Sequence, residues 1–280
     1  FLMKADTKNT EIKQKIIDNF GKQTIEQIEL LQRISKIAFP ETQKNIGQLR
    51  KLFIELSDDI SIIFVKLTER LVNLKIADQT NSENLTYLSE EALYFYSPIA
   101  QMLGIRKIYT EMEDISFKNL FPEDFKYLDK MIEQKMSFYK SKLNEMRQEL
   151  ERTMKKFNIN AKIQSRVKRP YSIYRKLVKQ KIALDKIFDL LALRVITDTP
   201  ENCYLTLGVV HSNWIPIENR FRDWITYPKA NGYRSIQTTV HTRTGDKFEI
   251  QIRTEEMHQE AEYGSSAHWA YKQSGTSGRD

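Results

Sequence analysis

Functional side chains alternate with apolar ones along KFEIQIRT, the segment from Lys247 to Thr254. If this segment is a strand, successive side chains point to opposite faces. The two sets would then be Phe248, Ile250 and Ile252 on one face, and Glu249, Gln251 and Arg253 on the other. An acid, an amide and a base on one surface could bind and activate a charged ligand. A solvent-facing antiparallel strand has the same alternation, so this segment alone leaves both interpretations open.

A second acid, Asp189, precedes the apolar run LLALRVIT. Two carboxylates beside a basic surface fit magnesium-dependent phosphate chemistry, because Mg²⁺ prefers hard oxygen ligands and cations balance the remaining phosphate charge. Residues 162–181 contain eight Lys or Arg and no acid, although a solvated basic helix face has the same composition. Strict alternation puts Asp189 and Arg194 on opposite faces. A shared site therefore requires Asp189 to precede the regular strand, or a bulge to intervene.

The stretch YPKANGYRSIQTTV contains one of only nine glycines in 280 residues. Asn231 and Gly232 permit a tight or left-handed backbone, which would bring main-chain N–H groups, Lys229 and Tyr233 close to a flat anionic ligand. Tyr233 would then serve as a stacking platform. An ordinary Asn-Gly turn with a surface tyrosine is the alternative.

The amino-acid composition limits which partners and which cell compartment we expect for this protein. The formal charge is +7 and the pI about 9.2, which indicates an anionic partner without identifying it. No apolar run is long enough for a membrane span, and the N-terminus lacks the layout of a signal peptide, so we expect no membrane association. The single cysteine, Cys203, is expected to be packed rather than nucleophilic and favours a reducing compartment, the cytoplasm. Because the chain does not begin with Met, we expect a fragment of a longer protein.

Periodicity predicts an α+β protein with two differently built halves. Helices are expected at Thr10–Ile37, Ile60–Leu74, Leu88–Met102 and Pro122–Lys155, with breaks at Pro40, at residues 78–84, at Pro98 and at Gly104. After Phe157, short β-branched runs predict a mixed sheet: INAKIQSRV, LALRVIT, SIQTTVHT and KFEIQIRT. TRTGDK is expected to form the hairpin turn between the last two strands.

Several segments, in this order, closely resemble the synthetase domain of long RelA/SpoT-type enzymes, from Asn158 to Lys272: SRVKRPYSIYRKL, FDLLALRVI, NRFRDWITYPKANGYRSIQTTV and FEIQIRTEEMHQEAEYGSSAHWAYK. Residues 1 to about 150 resemble the HD-type hydrolase domain of the same enzymes. The resemblance implies an all-helical, degenerate HD-type domain at 1–150 and a nucleotidyltransferase-like synthetase domain at 151–280. It also implies a (p)ppGpp synthetase, which transfers the β,γ-pyrophosphate of ATP to the 3′-hydroxyl of GDP or GTP and releases AMP.

The resemblance assigns roles to matching positions. Asp189 and Glu249 correspond to the acids that bind Mg²⁺ and activate the ribose hydroxyl. The ATP side corresponds to Arg166, Lys168, Ser172, Lys176 and Arg194, and the guanine-nucleotide side to Arg222, Lys229, Asn231, Tyr233 and Gln237. The basic form of the RFRD motif at residues 220–223 accompanies a preference for GDP in the family. Gln237 replaces the family's usual His, and since an amide carries no charge, affinity for the acceptor nucleotide is expected to be weaker.

The metal-binding residues of the family's hydrolase domain are replaced at the matching positions of this chain. The family's D-R-L-H-N-M segment reads ERLVNL here, with Glu69 and Val72 in place of Asp and His, and Phe1, Leu2 and Ala5 replace further conserved residues. Without imidazole ligands a Mn²⁺ site is incomplete, so we expect no (p)ppGpp hydrolysis. His258 and His268 are too far apart to form a metal pair and are expected to make structural hydrogen bonds.

The expected partners are ATP and GDP or GTP. Ribosome and tRNA contacts are expected only through the family's C-terminal domains, which this chain does not contain. Two alternatives stay open: a catalytically silent nucleotide- or RNA-binding module, and nucleotidyl transfer to another acceptor. A pure anion binder gains nothing from two acids beside phosphate, which argues against the first.

Overall fold

A computed structural model describes residues 5–35, 60–180 and 190–264. The first part is helical, and α1 to α6 are called the helical half below: α1 Thr10–Phe20, α2 Lys22–Ser35, α3 Ile60–Thr80, α4 Leu85–Glu91, a π-helical turn Ala92–Tyr96, α5 Ser97–Met102 and α6 Arg106–Leu120. Its core is an apolar cluster that includes Leu67, Leu74, Phe95, Ile99 and Met112. No described helix is long and apolar enough to cross a membrane.

The helix boundaries differ from the prediction in two places. The expected helix Thr10–Ile37 is interrupted at Gly21, whose positive φ of 86° ends α1 before α2 begins. The expected break at Pro98 is wrong, because the π-helical turn Ala92–Tyr96 runs directly into α5 and the helix continues through Pro98. The expected break at Gly104 is present: α5 ends at Met102, α6 begins at Arg106, and Gly104 between them has a φ of 73°. Pro40 lies outside the described residues.

The long helix α7, Pro122–Lys156, joins the two parts of the molecule. Its C-terminal side chains, Leu143, Met146, Leu150 and Met154, are buried in the core beneath the sheet. Earlier in the helix, Leu128 and Ile132 pack in a second cluster with Phe117 of α6 and Ile173 of the later helix α8, Pro170–Gln180. The predicted helix Pro122–Lys155 is therefore confirmed, and it packs both against the sheet and against α6 and α8.

The second part is a six-stranded mixed sheet with order β1-β2-β6-β5-β3, to which β4 is added beside β5. The strands are β1 Ala161–Val167, β2 Leu191–Thr197, β3 Ile215–Pro216, β4 Arg222–Asp223, β5 Ile236–His241 and β6 Lys247–Thr254. β2 and β6 are parallel, and the other pairs are antiparallel. The described residues of this second part also form two further helices, α9 Pro200–Asn213 and α10 Glu255–Tyr263.

One face of the sheet forms the core. Phe248, Ile250 and Ile252 of β6 are buried there with side chains of β2, α7 and α9, as the alternation predicted. The expected hairpin between β5 and β6 is present, and Gly245 in its turn has a positive φ of 83°. The opposite face of β6 carries the polar side chains Glu249, Gln251 and Arg253.

Candidate active site

Strand register places the polar side chains in rows across the second face of the sheet. Arg166 of β1, Ala192 of β2 and Glu249 of β6 are aligned as direct neighbours. In the next row, Arg194 of β2 pairs with Gln251 of β6, which in turn pairs with Gln237 of β5. Paired residues point to the same face, so these side chains share one surface. The prediction that Glu249, Gln251 and Arg253 face away from the core is confirmed.

This surface forms the floor of a cleft of about 1080 Å³ rather than an open face. Gln251 is 5% and Arg253 2% exposed, so a solvent-facing strand is excluded. The cationic side chains that line the cleft outnumber the acids: Arg106, Arg166, Lys168, Arg194, Lys229, Arg234 and Arg253 against Glu249, Glu256 and Glu260. A cavity with this excess of positive charge favours a polyanionic ligand.

Glu249 lies at the floor of the cleft with one carboxylate oxygen engaged. Its Oε1 accepts a hydrogen bond from Gln251 Nε2 at 2.6 Å and lies 3.9 Å from Arg166 Nη1. The contact with Arg166 crosses β2 above Ala192, whose methyl group leaves room between the two side chains. Within the described part of the chain, Oε2 has no hydrogen-bond or ion-pair partner. That oxygen is available to a ligand, a proton or a cation.

Two buried guanidinium groups share one carboxylate deeper in the cleft. Glu262 Oε1 lies 3.3 Å from Arg253 Nη2 and 3.7 Å from Arg194 Nη1. Burial, reinforced by the neighbouring charge of Arg253, lowers the pKa of Arg194 to about 10. Arg253 Nη2 also donates to His258 Nδ1 at 2.5 Å, which requires a neutral imidazole. The expectation that His258 makes a structural hydrogen bond near the site is confirmed, whereas His268 lies outside the described residues.

The loop between β4 and β5 forms one wall. Gly232 has the positive φ of 76° that the Asn-Gly pair predicted, and its N–H donates to the carbonyl of Lys229. The Lys229 ammonium lies between two rings, 4.9 Å from the centroid of Trp224 and 5.1 Å from that of Tyr233. The Tyr233 phenol oxygen accepts from Ser235 Oγ and from Gln237 Nε2, at 3.0 and 3.1 Å. Lys229 thus occupies one face of the Tyr233 ring, and the hydrogen bonds from Ser235 and Gln237 hold its hydroxyl in place.

The helical half supplies another wall, which the sequence motifs did not reveal. The last two residues of α5 and the two residues after it, 101–104, line the cleft together with Arg106 and Tyr109 of α6. Arg106 Nε lies 3.4 Å from Glu262 Oε2, so a side chain of the helical half joins the arginine cluster of the sheet. These residues are far from the synthetase motifs along the chain, and they lie in the part that resembles the hydrolase domain, so nothing linked them to the synthetase site. Arg234, which donates to Glu260 of α10 at 2.8 Å, was also missed.

Most, but not all, of the predicted site residues line the cleft. Arg166, Lys168, Arg194, Lys229, Asn231, Tyr233, Gln237 and Glu249 line it. Ser172 and Lys176 lie on α8 and are not among the described residues of its lining. The Arg222 guanidinium donates to the carbonyls of Asn219 and Phe221, at 3.0 and 2.6 Å, and is likewise outside the lining. Asp189 lies outside the described residues.

The positions that correspond to the hydrolase site lie on α3. Glu69 Oε2 is 2.8 Å from Nζ of the buried Lys66, and the Val72 side chain is exposed to solvent. Burial lowers the pKa of Lys66. Of the residues the structure describes, none form a group of three or more His, Cys, Asp or Glu able to hold a metal ion. Phe1 and Leu2 are outside the described residues.

Comparison with known proteins agrees with this two-part structure. Residues 165–276 match the model of a region found in RelA and SpoT proteins, and residues 2–106 match an HD domain model. The chain belongs to the RelA/SpoT family. The RelA/SpoT region contains the cleft floor and the Tyr233 loop, and the HD match ends at Arg106.

Known relatives carry both hydrolase and synthetase names. The chain is 38% identical over 260 residues to a probable guanosine-3′,5′-bis(diphosphate) 3′-pyrophosphohydrolase of Synechocystis, covering 92% of this chain and 34% of the relative. It is 35% identical over 283 residues to a GTP pyrophosphokinase of Myxococcus xanthus, covering 96% and 36%. One similar solved structure is that of the small alarmone synthetase 1 of Bacillus subtilis bound to its product pppGpp. It is 25% identical in sequence, with a TM-score of 0.40. The match covers 52% of this chain and 83% of that one. The chain thus spans about a third of the length of these curated relatives.

Proposed function

We propose that this chain is a (p)ppGpp synthetase that transfers the β,γ-pyrophosphate of ATP to the 3′-hydroxyl of GDP or GTP. The observation that carries the proposal is the position of Glu249 on the floor of a strongly cationic cleft that also contains the Tyr233 loop. One oxygen of this acid has no partner among the described residues. Membership of the RelA/SpoT family and the M. xanthus relative's name, GTP pyrophosphokinase, support the same reaction.

In the proposed reaction the 3′-oxygen attacks the β-phosphorus of ATP. A bond forms between that oxygen and the β-phosphorus, the bond from the β-phosphorus to the α,β-bridging oxygen breaks, and AMP leaves with the electron pair. Glu249 takes the proton of the hydroxyl. Phosphoryl transfer needs little covalent assistance from protein, so aligning the two nucleotides and balancing charge should provide most of the rate. Arg166, Lys168 and Arg194 balance the phosphate charge, and Lys229, Asn231 and Tyr233 receive the guanine nucleotide.

The residues present fit a hard divalent cation. Glu249 provides a carboxylate oxygen without a described partner, and oxygen is the ligand type that Mg²⁺ prefers. We propose that Glu249 and Asp189 hold Mg²⁺, which when bound would polarise the phosphates and neutralise developing charge. The chain itself would keep Glu249 in place through its hydrogen bond with Gln251.

We propose GDP as the preferred acceptor, on the basis of the basic RFRD motif. Ser172, Lys176 and Arg222 remain proposed nucleotide contacts and would have to reach the ligand from outside the cleft lining. One N–H of the Gln237 amide donates to Tyr233, and the amide carries no positive charge. We therefore propose that acceptor binding is weaker than with the charged histidine.

We propose that the helical half does not hydrolyse (p)ppGpp and instead supports the synthetase. Lys66 engages the carboxylate of Glu69, and Val72 offers no ligand atom. Relatives named as hydrolases make this a point to test directly, by incubating the protein with ppGpp and Mn²⁺. Release of pyrophosphate would contradict the proposal. The buried, hydrogen-bonded Cys203 fits a structural thiol in a cytoplasmic protein.

Incubation with ATP, Mg²⁺ and either GDP or GTP tests the main proposal. We expect AMP together with a 3′-pyrophosphorylated guanine nucleotide, and faster turnover with GDP. Glu249→Gln should abolish product while nucleotide binding remains measurable. Full activity of this variant would remove Glu249 from the mechanism. Nucleotide binding without product in the wild-type protein would favour the silent binding module, and transfer of AMP instead of pyrophosphate would favour the other transferase.

A further inference from the structure

We infer that Gln251 is a positioning residue for Glu249, a role that rests on the proposed synthetase function. Gln251 lies two residues after Glu249 on β6, so both side chains leave the same face of the strand. Its Nε2 donates to Glu249 Oε1 at 2.6 Å. Since a carboxylate oxygen only accepts, the amide nitrogen rather than the amide oxygen must face Glu249.

The bond fixes which oxygen of Glu249 does the chemistry. Gln251 Nε2 and Arg166 both approach Oε1, whereas Oε2 has no partner in the described part of the chain. A carboxylate held at one oxygen cannot rotate freely. Oε2 is therefore the atom presented to the ribose hydroxyl or the metal ion.

Gln251 is itself held rigidly. It is 5% exposed and lies on the central strand β6, between Gln237 on β5 and Arg194 on β2 in the same row. A side chain packed between neighbours in a sheet loses little further entropy when it orders a catalytic group. Gln237 continues the row by donating to the Tyr233 phenol oxygen, so the same row of amides fixes both Glu249 and the loop of the proposed acceptor site.

Replacing Gln251 tests the inference. Gln251→Met keeps the volume and removes the donor, and Gln251→Asn keeps an amide that is too short to reach Oε1. In both variants kcat should fall roughly 10- to 100-fold, the loss expected for one hydrogen bond to a charged group. KM for ATP and GDP, and the Kd for ATP measured by calorimetry, should stay unchanged. Gln164→Met is the matched control, because Gln164 lies in the same row on β1, beyond Arg194, and should behave like wild type.

The outcomes separate a positioning role from other roles. A rise in KM with kcat preserved would overturn the inference and make Gln251 a nucleotide-binding residue. Wild-type kcat in folded Gln251→Met and Gln251→Asn proteins, verified by thermal melting, would overturn it as well. A wild-type protein that makes no pyrophosphorylated nucleotide would overturn the proposed function, and this inference with it.

Discussion

The backbone at Gly264 lies so close to the backbone at Gly104 that no side chain fits between them. Gly264 follows α10 of the RelA/SpoT region, and Gly104 belongs to the helical half. A Cβ added at Gly264 would lie 2.6 Å from the carbonyl carbon and 2.8 Å from the carbonyl oxygen of Gly104. The two parts therefore meet backbone to backbone beside the cleft, next to the ion pair between Arg106 and Glu262.

Gly264→Ala should push α10 away from the helical half. Its φ of 60° adds backbone strain to the clash, so we expect a loss of at least about 1 kcal/mol in stability and slower synthesis. Thermal melting and the product assay measure both. Gly245→Ala, with φ at 83° and nothing within 4 Å of the added atom, isolates the strain. Gly208→Ala has neither feature and lies within α9, so it should stabilise the fold by up to about 1 kcal/mol. Equal melting temperatures for the Gly264 and Gly245 variants would show that the close approach is unimportant.

Glu113 of α6 anchors the loop that follows β1. Its carboxylate lies 2.9 Å from Arg169 and 3.5 Å from Arg175, and burial raises its pKa despite these cations. Glu113→Gln would leave the 38% exposed Arg175 without this partner, whereas Arg169 keeps its 3.0 Å ion pair with Asp114. We therefore expect the fold to lose about 1–3 kcal/mol in chemical denaturation.

We also expect Glu113→Gln to raise KM for ATP, because Arg169 directly follows the cleft residue Lys168 in sequence. Glu151→Gln is the control, since its half-exposed pair with Arg147 spans 3.9 Å and contributes little. Stability similar to that of this control would contradict an anchoring role for Glu113.

The gap above Ala192 should be needed for activity. Ala192→Leu would place a large side chain between Arg166 and Glu249 and overfill a fully buried position, at a cost of about 1–3 kcal/mol. We expect kcat to fall sharply. Ala192→Gly keeps the gap and should retain activity with a smaller loss of stability. The product assay compares the two at a temperature where both are folded; equal activity would rule out a role for the gap.

His258 should make the protein sensitive to acid. Burial, with the nearby charges of Arg253 and Arg194, lowers its pKa below the ordinary 6.5, while Glu262 and Glu255 only partly compensate. The unfolded chain then takes up the proton more readily than the folded chain. Stability from the neutral imidazole is complete above pH 6.5 and is lost as pH falls through the lowered folded value.

His258→Gln offers an amide oxygen to Arg253 and has no proton to gain. Urea denaturation on either side of pH 6.5 should show a steeper acid loss in wild type than in this variant. Identical pH dependence would show that folding does not lower the pKa of His258.

The sequence by itself determined much of the site. Alternation in KFEIQIRT assigned Glu249, Gln251 and Arg253 to one face, and Asn231-Gly232 predicted the positive φ beside Tyr233. Both are local properties, since side-chain direction and backbone freedom follow from neighbours along the chain. The break expected at Pro98 is wrong, because the helix continues through the proline by way of the π-helical turn Ala92–Tyr96 directly before it.

Only the tertiary structure decided that the polar face is buried and what covers it. Alternation cannot distinguish a solvated face from the floor of a cleft, because burial depends on segments far along the chain. The parallel pairing of β2 with β6 brought Ala192 between Arg166 and Glu249, and packing of the helical half brought Arg106 to Glu262. Such contacts follow from how the two halves pack together, which no local pattern encodes.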